Sequence, residues 1–448
     1  MNVHTPPTLQ KLAIQTLVRE EAIGMSDLEE LAYGLFPELF KEAFDGRYTK
    51  LIKALEIALP FHCLPVGSLM RTPDLETLQA VGFHPRVCHH SYVSPTGGKK
   101  LQFLDLQNVH HNFWNISTDS EDSDCLAEIL DGKQAVKVHL RYALRQHLKV
   151  RVDLCIGSCL DEAQAWFLKW AQERKGSLYF CCTKMKIWAL PVKALRQISH
   201  VFDPKDITEL ELNTEWILLE LAHFIDFHLP NRTRVTEVKC INKFASQFSK
   251  FNCLQHLFMF CIHFLRFQMN QVLGCLMTPL KTLSITYSLI SQRDLDSFAC
   301  CQSLFQLKHL ELREVVLLDL DLMHLRGLLM KVAGTLETLD LQGCRMKDSQ
   351  LSVLLPAFKQ CSQISNVNYY NDDFSMPFLK DLLQHTANWS KMNVEQYPAP
   401  LKCYNEFPQV SVERFAQLCQ DLMDTLRAIR QPKTSSFATD ICHTCGEC

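Results

Sequence analysis

The chain has 448 residues, 47% of them hydrophobic, a formal net charge of −3 and 20 cysteines. That is enough apolar material for a large core, and the charge gives no basic stripe for gripping nucleic acid. The opening "MNVHTPPTLQKLAIQ" lacks the apolar core of a signal peptide, and no run of about 18 uncharged apolar residues exists to cross a membrane. A chain that stays inside the cell keeps its thiols reduced, so the cysteines are expected as small buried hydrophobes. The glycosylation-type triplets at Asn115, Asn231 and Asn388 then have no meaning.

In chain order, residues 1 to about 70 read as helices. Pro6, Pro7 and Thr8 suit a helix start, and Leu9, Ala13 and Leu17 follow on one face. Pro37 suits a first turn, with Phe40 and Phe44 in one stripe behind it. Gly46 ends that helix, and another runs from Leu51 to Leu59 before Pro60. "LQFLDL" at Leu101, Leu104 and Leu106 is a strand, and the acidic "NISTDSEDSD" is a loop. "LKVRVDLCI" alternates as a strand should. A helix starts near Asp161, and "SLYFCCTKMKIW" returns to strand.

A form L-x-x-L-x-L then recurs. It begins at Leu280, Leu307, Leu336 and Ile364, with steps of 27, 29 and 28 residues, each followed by a turn and a helical run. Earlier copies fall at Ile207, Val235 and Leu254. A fixed period of this length marks a leucine-rich repeat, in which stacked strand–helix units bury a continuous core that no single unit can. The last strand, Met392 to Tyr397, puts Glu395 at a core position and reads as the fraying sheet edge. "VSVERFAQLCQDLMDTLRAIR" is a capping helix and "QPKTSSFATDICHTCGEC" a tail. The expected fold is therefore α/β, a leucine-rich-repeat solenoid (horseshoe) with a helical N-terminal cap. Its parts are a cap over 1–95, atypical first repeats over 96–200, repeats over 201–400, a capping helix over 401–431 and a cysteine-rich tail over 432–448.

Eight segments in this order resemble the PRAME family, which includes the oogenesin-like proteins of germ cells and early embryos. They are "LFPELFKEAFDGRYTKLIKAL", "PFHCLPVGSLM", "LQFLDLQNVHHNFW", "CCTKMKIWALP", "PLKTLSITYSLIS", "LLPAFKQCSQIS", "YPAPLKCY" and "CHTCGE". The resemblance implies a substrate receptor of a cullin-2 RING ubiquitin ligase, with elongin C/B and cullin-2 as partners and a protein target. It also implies roles in repressing retinoic-acid signalling, blocking differentiation and apoptosis, and supporting proliferation. Cytoplasm is the expected location, with the nucleus a second one; the acidic loop near Thr118 lacks the Lys/Arg-rich signal that some members carry there. The rival reading is a nuclear transcriptional corepressor acting by protein binding without ubiquitin.

Candidate sites follow, each beside a plainer reading. Leu9, Ala13 and Leu17 resemble an elongin-binding box, a helix laid in a groove; ordinary helix packing has the same spacing. Phe36, Pro37, Phe40 and Phe44 resemble a cullin contact, and equally a packed helix. Strand alternation puts Glu211, Phe258, Phe260, Glu311, Arg313, Asp340, Gln342, Asn368 and Tyr370 on the concave face, where a target would bind. Phe258 and Phe260 are the anchors there, unless a short unit at Val235 shifts the register and buries them. The L-x-x-L-L strings at Leu325, Leu351 and Leu379 fit nuclear-receptor grooves, but lie on helices whose leucines the core needs. Cys442, Cys445 and Cys448 have zinc-like spacing, yet a closed site takes four ligands and His443 is too near Cys442. No metal or cofactor is assigned. No P-loop, G-x-S-x-G, H-E-x-x-H or G-x-G-x-x-G is present, so the chain reads as non-enzymatic.

Overall fold

The computed structural model describes residues 9–19, 33–58, 63–66, 103–107, 148–157, 160–188, 200–213, 245–404 and 410–438, with the single positions 28, 31, 198 and 242. The chain forms two compact units. The first comprises Met1–Leu154, Cys159–Lys184 and Arg196–Asp203; the second comprises Cys155–Ser158, Met185–Leu195 and Pro204–Cys448.

In the first unit, α1 (Leu9–Arg19) packs on α2 (Phe36–Asp45), which contacts α3 (Thr49–Ile57). Pro37 lies in the first turn of α2, where its missing N–H leaves no bond unmade. Three strands run parallel: β1 (Cys63–Pro65), β2 (Phe103–Asp105) and β3 (Lys149–Ile156). Leu64, Leu104 and Val150 stand opposite one another, fully buried. β1 corrects the expectation of helix up to about residue 70. Three residues are too few to show an alternation, and Pro65 closes the strand. The helix expected from Asp161 is α4 (Glu162–Arg174). Asp161 Oδ1 accepts from Gln164 N at 2.7 Å, and Asp161 N donates back to Gln164 Oε1 at 3.3 Å, a reciprocal cap. α4 sets Phe167 and Trp170 edge-on against Phe180 of β4 (Tyr179–Trp188), at centroid distances of 6.2 and 5.4 Å.

The second unit is the α/β leucine-rich-repeat solenoid. Its strands β5 (Glu209–Asn213), β6 (His256–Phe260), β7 (Thr282–Thr286), β8 (His309–Glu311), β9 (Thr338–Asp340), β10 (Asn366–Asn368), β11 (Val394–Pro398) and β12 (Thr434–Ala438) pair in parallel, each with the next. From β6 on, one helix links each pair: α5 (Met269–Gly274), α6 (Gln292–Phe298), α7 (Met323–Lys331), α8 (Asp348–Phe358), α9 (Met376–His385) and α10 (Val412–Ile429). Leu257, Leu283, Leu310, Leu339 and Val367 form one column across the sheet. All are buried, as are the repeat starts Leu280, Leu307, Leu336 and Ile364.

Main-chain bonds fix this stacking at both ends of each strand. Before the strand, one carbonyl accepts two N–H groups from the following repeat. Gln255 O takes Lys281 N and Thr282 N at 2.7 and 3.0 Å; Lys281 O takes Lys308 N and His309 N; Lys308 O takes Glu337 N and Thr338 N. After the strand, a residue with left-handed backbone recurs: Cys261, Tyr287, Glu314, Gly343 and Asn371. The N–H of Cys261 donates to Thr286 O, that of Tyr287 to Arg313 O, that of Glu314 to Gln342 O and that of Gly343 to Tyr370 O.

Two expectations about the repeats change. β5 pairs directly with β6 over five residues, Glu209 opposite His256 through Asn213 opposite Phe260, so the sheet holds no place for a strand between them. The copy expected at Val235 lies outside the described residues. At the other end β11 is not the sheet edge. Residues 434–438, expected as tail, form β12 against it.

Glu395 therefore sits inside the structure, opposite Val367 in the leucine column and fully buried. Arg430, just past α10, meets it: Arg430 NH2 is 2.5 Å from Glu395 Oε2. The Tyr397 hydroxyl donates to the same oxygen at 3.0 Å, and Arg430 NH1 donates to Thr386 O at 2.8 Å. Tyr397 stacks between Tyr369 and Phe437, with centroids 5.9 and 5.5 Å away. This ion pair docks the C-terminal helix on the last repeats. Arg430→Met is expected to destabilise the protein by about 3–5 kcal/mol, because it strands a buried carboxylate, while Arg430→Met with Glu395→Leu should recover much of that loss. Denaturant titration of the three proteins checks it; a double variant no better than the single one overturns the account.

Asp372 is a second buried acid. Its Oδ1 accepts from Met346 N at 2.7 Å, while Oδ2 is buried without a partner. Burial pushes its pKa up to about 8. The folded form thus holds a proton that the unfolded chain releases near the ordinary carboxyl range. Its contribution is complete at low pH and declines as pH rises from about 4 to about 8. Asp372→Asn keeps the Met346 bond, so it is expected to flatten the stability–pH profile in that window and to gain most over wild type near pH 8. Denaturation midpoints at pH 5 and pH 8 test this; parallel profiles would exclude it.

Candidate functional site

α1 has two apolar faces, and only one is packed. Ile14 and Val18 are buried, whereas Leu9 is 87% exposed, Leu12 is 45% exposed and Ala13 is also exposed. Leu17 is half-buried. The positions of the expected box thus form an outward stripe, and packing uses the other stripe.

α2 is the opposite case. Phe36, Pro37, Phe40 and Phe44 are all buried, and the Phe40 and Phe44 rings stack at 6.4 Å. Read as contact residues, they are found in the core instead. A helix that packs along one whole stripe offers its other side, here Glu38, Lys41 and Asp45. The leucines of the three L-x-x-L-L strings are also buried, 5% exposed at most. Cys442, Cys445 and Cys448, and the acidic loop, lie outside the described residues. Among the described residues, no three His, Cys, Asp or Glu gather as metal ligands, and no helix is long and apolar enough to cross a membrane.

The strand face away from the helices carries the remaining candidates. Strand register sets Glu211, Phe258, Ser284, Glu311, Asp340 and Asn368 in one row. A parallel row pairs His256 Nδ1 with Thr282 Oγ1 at 2.8 Å and His309 Nδ1 with Thr338 Oγ1 at 3.1 Å. The face has two halves.

From β8 onward it is polar and self-engaged. Ser284 Oγ donates to Glu311 Oε2 at 3.0 Å. Arg313 Nε is 2.8 Å from Asp340 Oδ2. Asn368 Nδ2 donates to Asp340 Oδ2 at 3.2 Å and to Gln342 Oε1 at 2.9 Å. Burial pushes the Asp340 carboxyl up, against the Gln342 N–H, Arg313 and Asn368. The Tyr370 hydroxyl bonds the Ser436 hydroxyl. Asp340, Gln342 and Asn368 are thus bound first to one another, and Tyr370 to Ser436.

From β4 to β7 the face is aromatic. Phe258 and Phe260 are half-buried, and the Phe260 ring lies 5.1 Å from that of Tyr287, which is 51% exposed. The register is intact, so no shift buries the two phenylalanines. Trp188, at the end of β4, is 43% exposed and donates from Nε1 to Glu211 Oε1 at 3.0 Å. Lys186 Nζ lies 2.6 Å from Glu211 Oε2, and that bond raises the lysine pKa. Sequence reasoning missed Trp188 and Tyr287. The available signals were period-2 alternation, which sets Trp188 beside Lys186, and Tyr287's place directly after a repeat strand.

Comparison with known proteins is consistent across the chain. Residues 148–448 match the PRAME C-terminal domain and residues 6–114 the PRAME N-terminal domain. Preferentially expressed antigen in melanoma-like protein 7 of Mus musculus is 39% identical, with 99% of this chain and 96% of that protein aligned. PRAME family member 8 of Homo sapiens is 37% identical, over 100% of this chain and 97% of that protein.

The two faces of α1 separate by mutation. Ile14→Ala is expected to destabilise the N-terminal helices by about 2–5 kcal/mol. Leu9→Ala should stay within about 0.5 kcal/mol of wild type. Equal losses in thermal or denaturant melts would show that Leu9 is packed.

Proposed function

The chain belongs to the PRAME family, and from that premise we propose that it is the substrate-recognition subunit of a cullin-2 RING ubiquitin ligase, binding elongin C through α1. Its product would be the ubiquitination and degradation of a target held on the open strand face, with the family-type effects on differentiation, apoptosis and proliferation. The observation that carries the reading is the outward stripe of α1. A leucine 87% exposed on a regular helix, with a small residue one turn on, is the form a helix takes when a groove in another protein receives it. Burying such a leucine contributes about 1.5–3 kcal/mol.

Cullin-2 would be met by the solvent side of α2, at Glu38, Lys41 and Asp45, because the aromatic side is already used for packing. In this role the protein contributes placement, and the transfer chemistry belongs to its partners. Buried L-x-x-L-L leucines argue against repression by a helix inserted into a receptor groove, which weakens the corepressor alternative.

Leu9→Ala with Ala13→Phe is expected to abolish elongin C capture, the first by losing an anchor worth at least about 2 kcal/mol and the second by clash. That anchor alone corresponds to roughly a thirtyfold loss of affinity. Pull-down with purified elongin B/C and cullin-2, with melting temperature as a control for folding, decides the matter. Wild-type protein that captures no elongin C sinks the proposal.

A further inference from the structure

Four aromatic side chains gather on the open face where β4 to β7 lie. Phe258 stands directly opposite Glu211, and Trp188 reaches the same carboxylate through its indole N–H. Phe260, two residues along β6, touches Tyr287 at the end of β7. Trp188 and Tyr287 keep 43% and 51% of their surface in water. Exposed rings of this kind are interface anchors, and their faces attract cations.

The charges beside them have one sign in excess. Among the described residues of the second unit on this face, carboxylates come from Glu209, Glu211, Glu311 and Asp340. The cations are Lys186, bound to Glu211, and Arg313, bound to Asp340. Glu311 is different: its near neighbours are the Ser284 hydroxyl and, at 4.0 Å, the Arg313 guanidinium. It is three strands along the row from Glu211, roughly 14 Å at ordinary strand spacing. About four extended residues span that distance. Glu211 and Glu311 therefore bracket Phe258, Phe260 and Tyr287, with Trp188 on the far side of Glu211.

We propose that this aromatic half of the sheet face binds an extended segment of a partner protein in which a lysine or arginine is flanked by apolar side chains. The basic group would lie over Tyr287 with Glu311 as counter-charge, and the apolar neighbours would cover Phe258 and Phe260. The polar half beyond β8, already bonded to itself, would act as the rim. Acidic segments and nucleic-acid backbones are excluded by the same carboxylates. The inference deepens the receptor reading by naming its target class, and rests on that reading only for the fate of what is bound.

The test uses the full-length protein and fluorescein-labelled nonapeptides in anisotropy titrations. One alternates leucine and arginine; the others replace arginine by glutamate or leucine by serine, and a labelled single-stranded DNA is the nucleic-acid probe. The leucine–arginine peptide is expected to bind best, and to weaken in about 0.5 M salt, where surface charges are screened. Tyr287→Ala with Phe260→Ala should lose at least tenfold in affinity, and Glu311→Gln a few-fold with a shallower salt dependence. Tyr287→Ala alone, at a half-exposed position, serves if the double variant is unstable. Absence of binding, equal binding of the glutamate peptide or the DNA, or unchanged affinity in the Tyr287 variants overturns the proposal. Elongin C capture by the same preparations reports separately on the ligase reading, because α1 and this face share no residue.

Discussion

A single carbonyl oxygen accepting two N–H groups from the next repeat sets the second unit. The bond pair recurs at Thr208, Gln255, Lys281, Lys308, Glu337 and Ser365. It leaves each strand only one register against its neighbour. A slip by one residue would turn every core leucine outward, so register and burial enforce each other. Everything else in the unit inherits this: the leucine column on one side and the row from Glu211 to Asn368 on the other. Helix lengths vary from 6 residues in α5 to 18 in α10 without disturbing it. The variation is absorbed on the return path, where side chains close the loops. Thr278 Oγ1 donates to Leu254 O, Thr335 Oγ1 to Leu307 O and Trp389 Nε1 to Phe358 O.

A stack of this kind must end somewhere, and its last members solve the problem with charge. Where the column reaches β11, the expected leucine is Glu395. Arg430 and Tyr397 make that acid compatible with a core by donating to its Oε2; Thr386 accepts from Arg430 and so holds it there, bringing α10 down on α9, where Lys380 also meets Asp421 at 2.7 Å. A leucine there would bury as well but would not recruit the arginine. The polar residue thus specifies which helix closes the sheet.

The repeat was legible because its signal is long and periodic. Four copies of L-x-x-L-x-L gave strand positions and faces that hold from β7 to β10. What failed to show was short or ambiguous. β1 has three residues and no pattern. β12, "TSSFA", holds one large apolar residue and reads as a polar tail until β11 is there to pair with it. Glu395 looked like the mark of an edge because a carboxylate in a core column needs a partner 35 residues away, which no local pattern reveals. In the N-terminal helices, spacing alone could not say which apolar stripe faces inward. Leu9 and Phe40 obey the same i, i+4 rule, and only tertiary packing separates the exposed one from the buried one. Trp188 and Tyr287 escaped notice for a related reason: neither belongs to the repeat's signature, and their place on one sheet face depends on β5 pairing directly with β6.

The left-handed turns after the strands have a consequence for how such a surface changes. Their bonds to the next repeat run through main chain alone, so the side chain carried there is not fixed by the fold. A cysteine, a tyrosine and a glutamate occupy three successive turns. At Gly343 a Cβ would come within 2.3 Å of the Glu314 carboxylate, so a side chain there would first have to move that glutamate aside. Elsewhere the rim of the sheet behaves like a row of interchangeable letters on a rigid frame. One letter can be rewritten without respelling the others, so the identity of a bound protein can drift while the architecture beneath stays still.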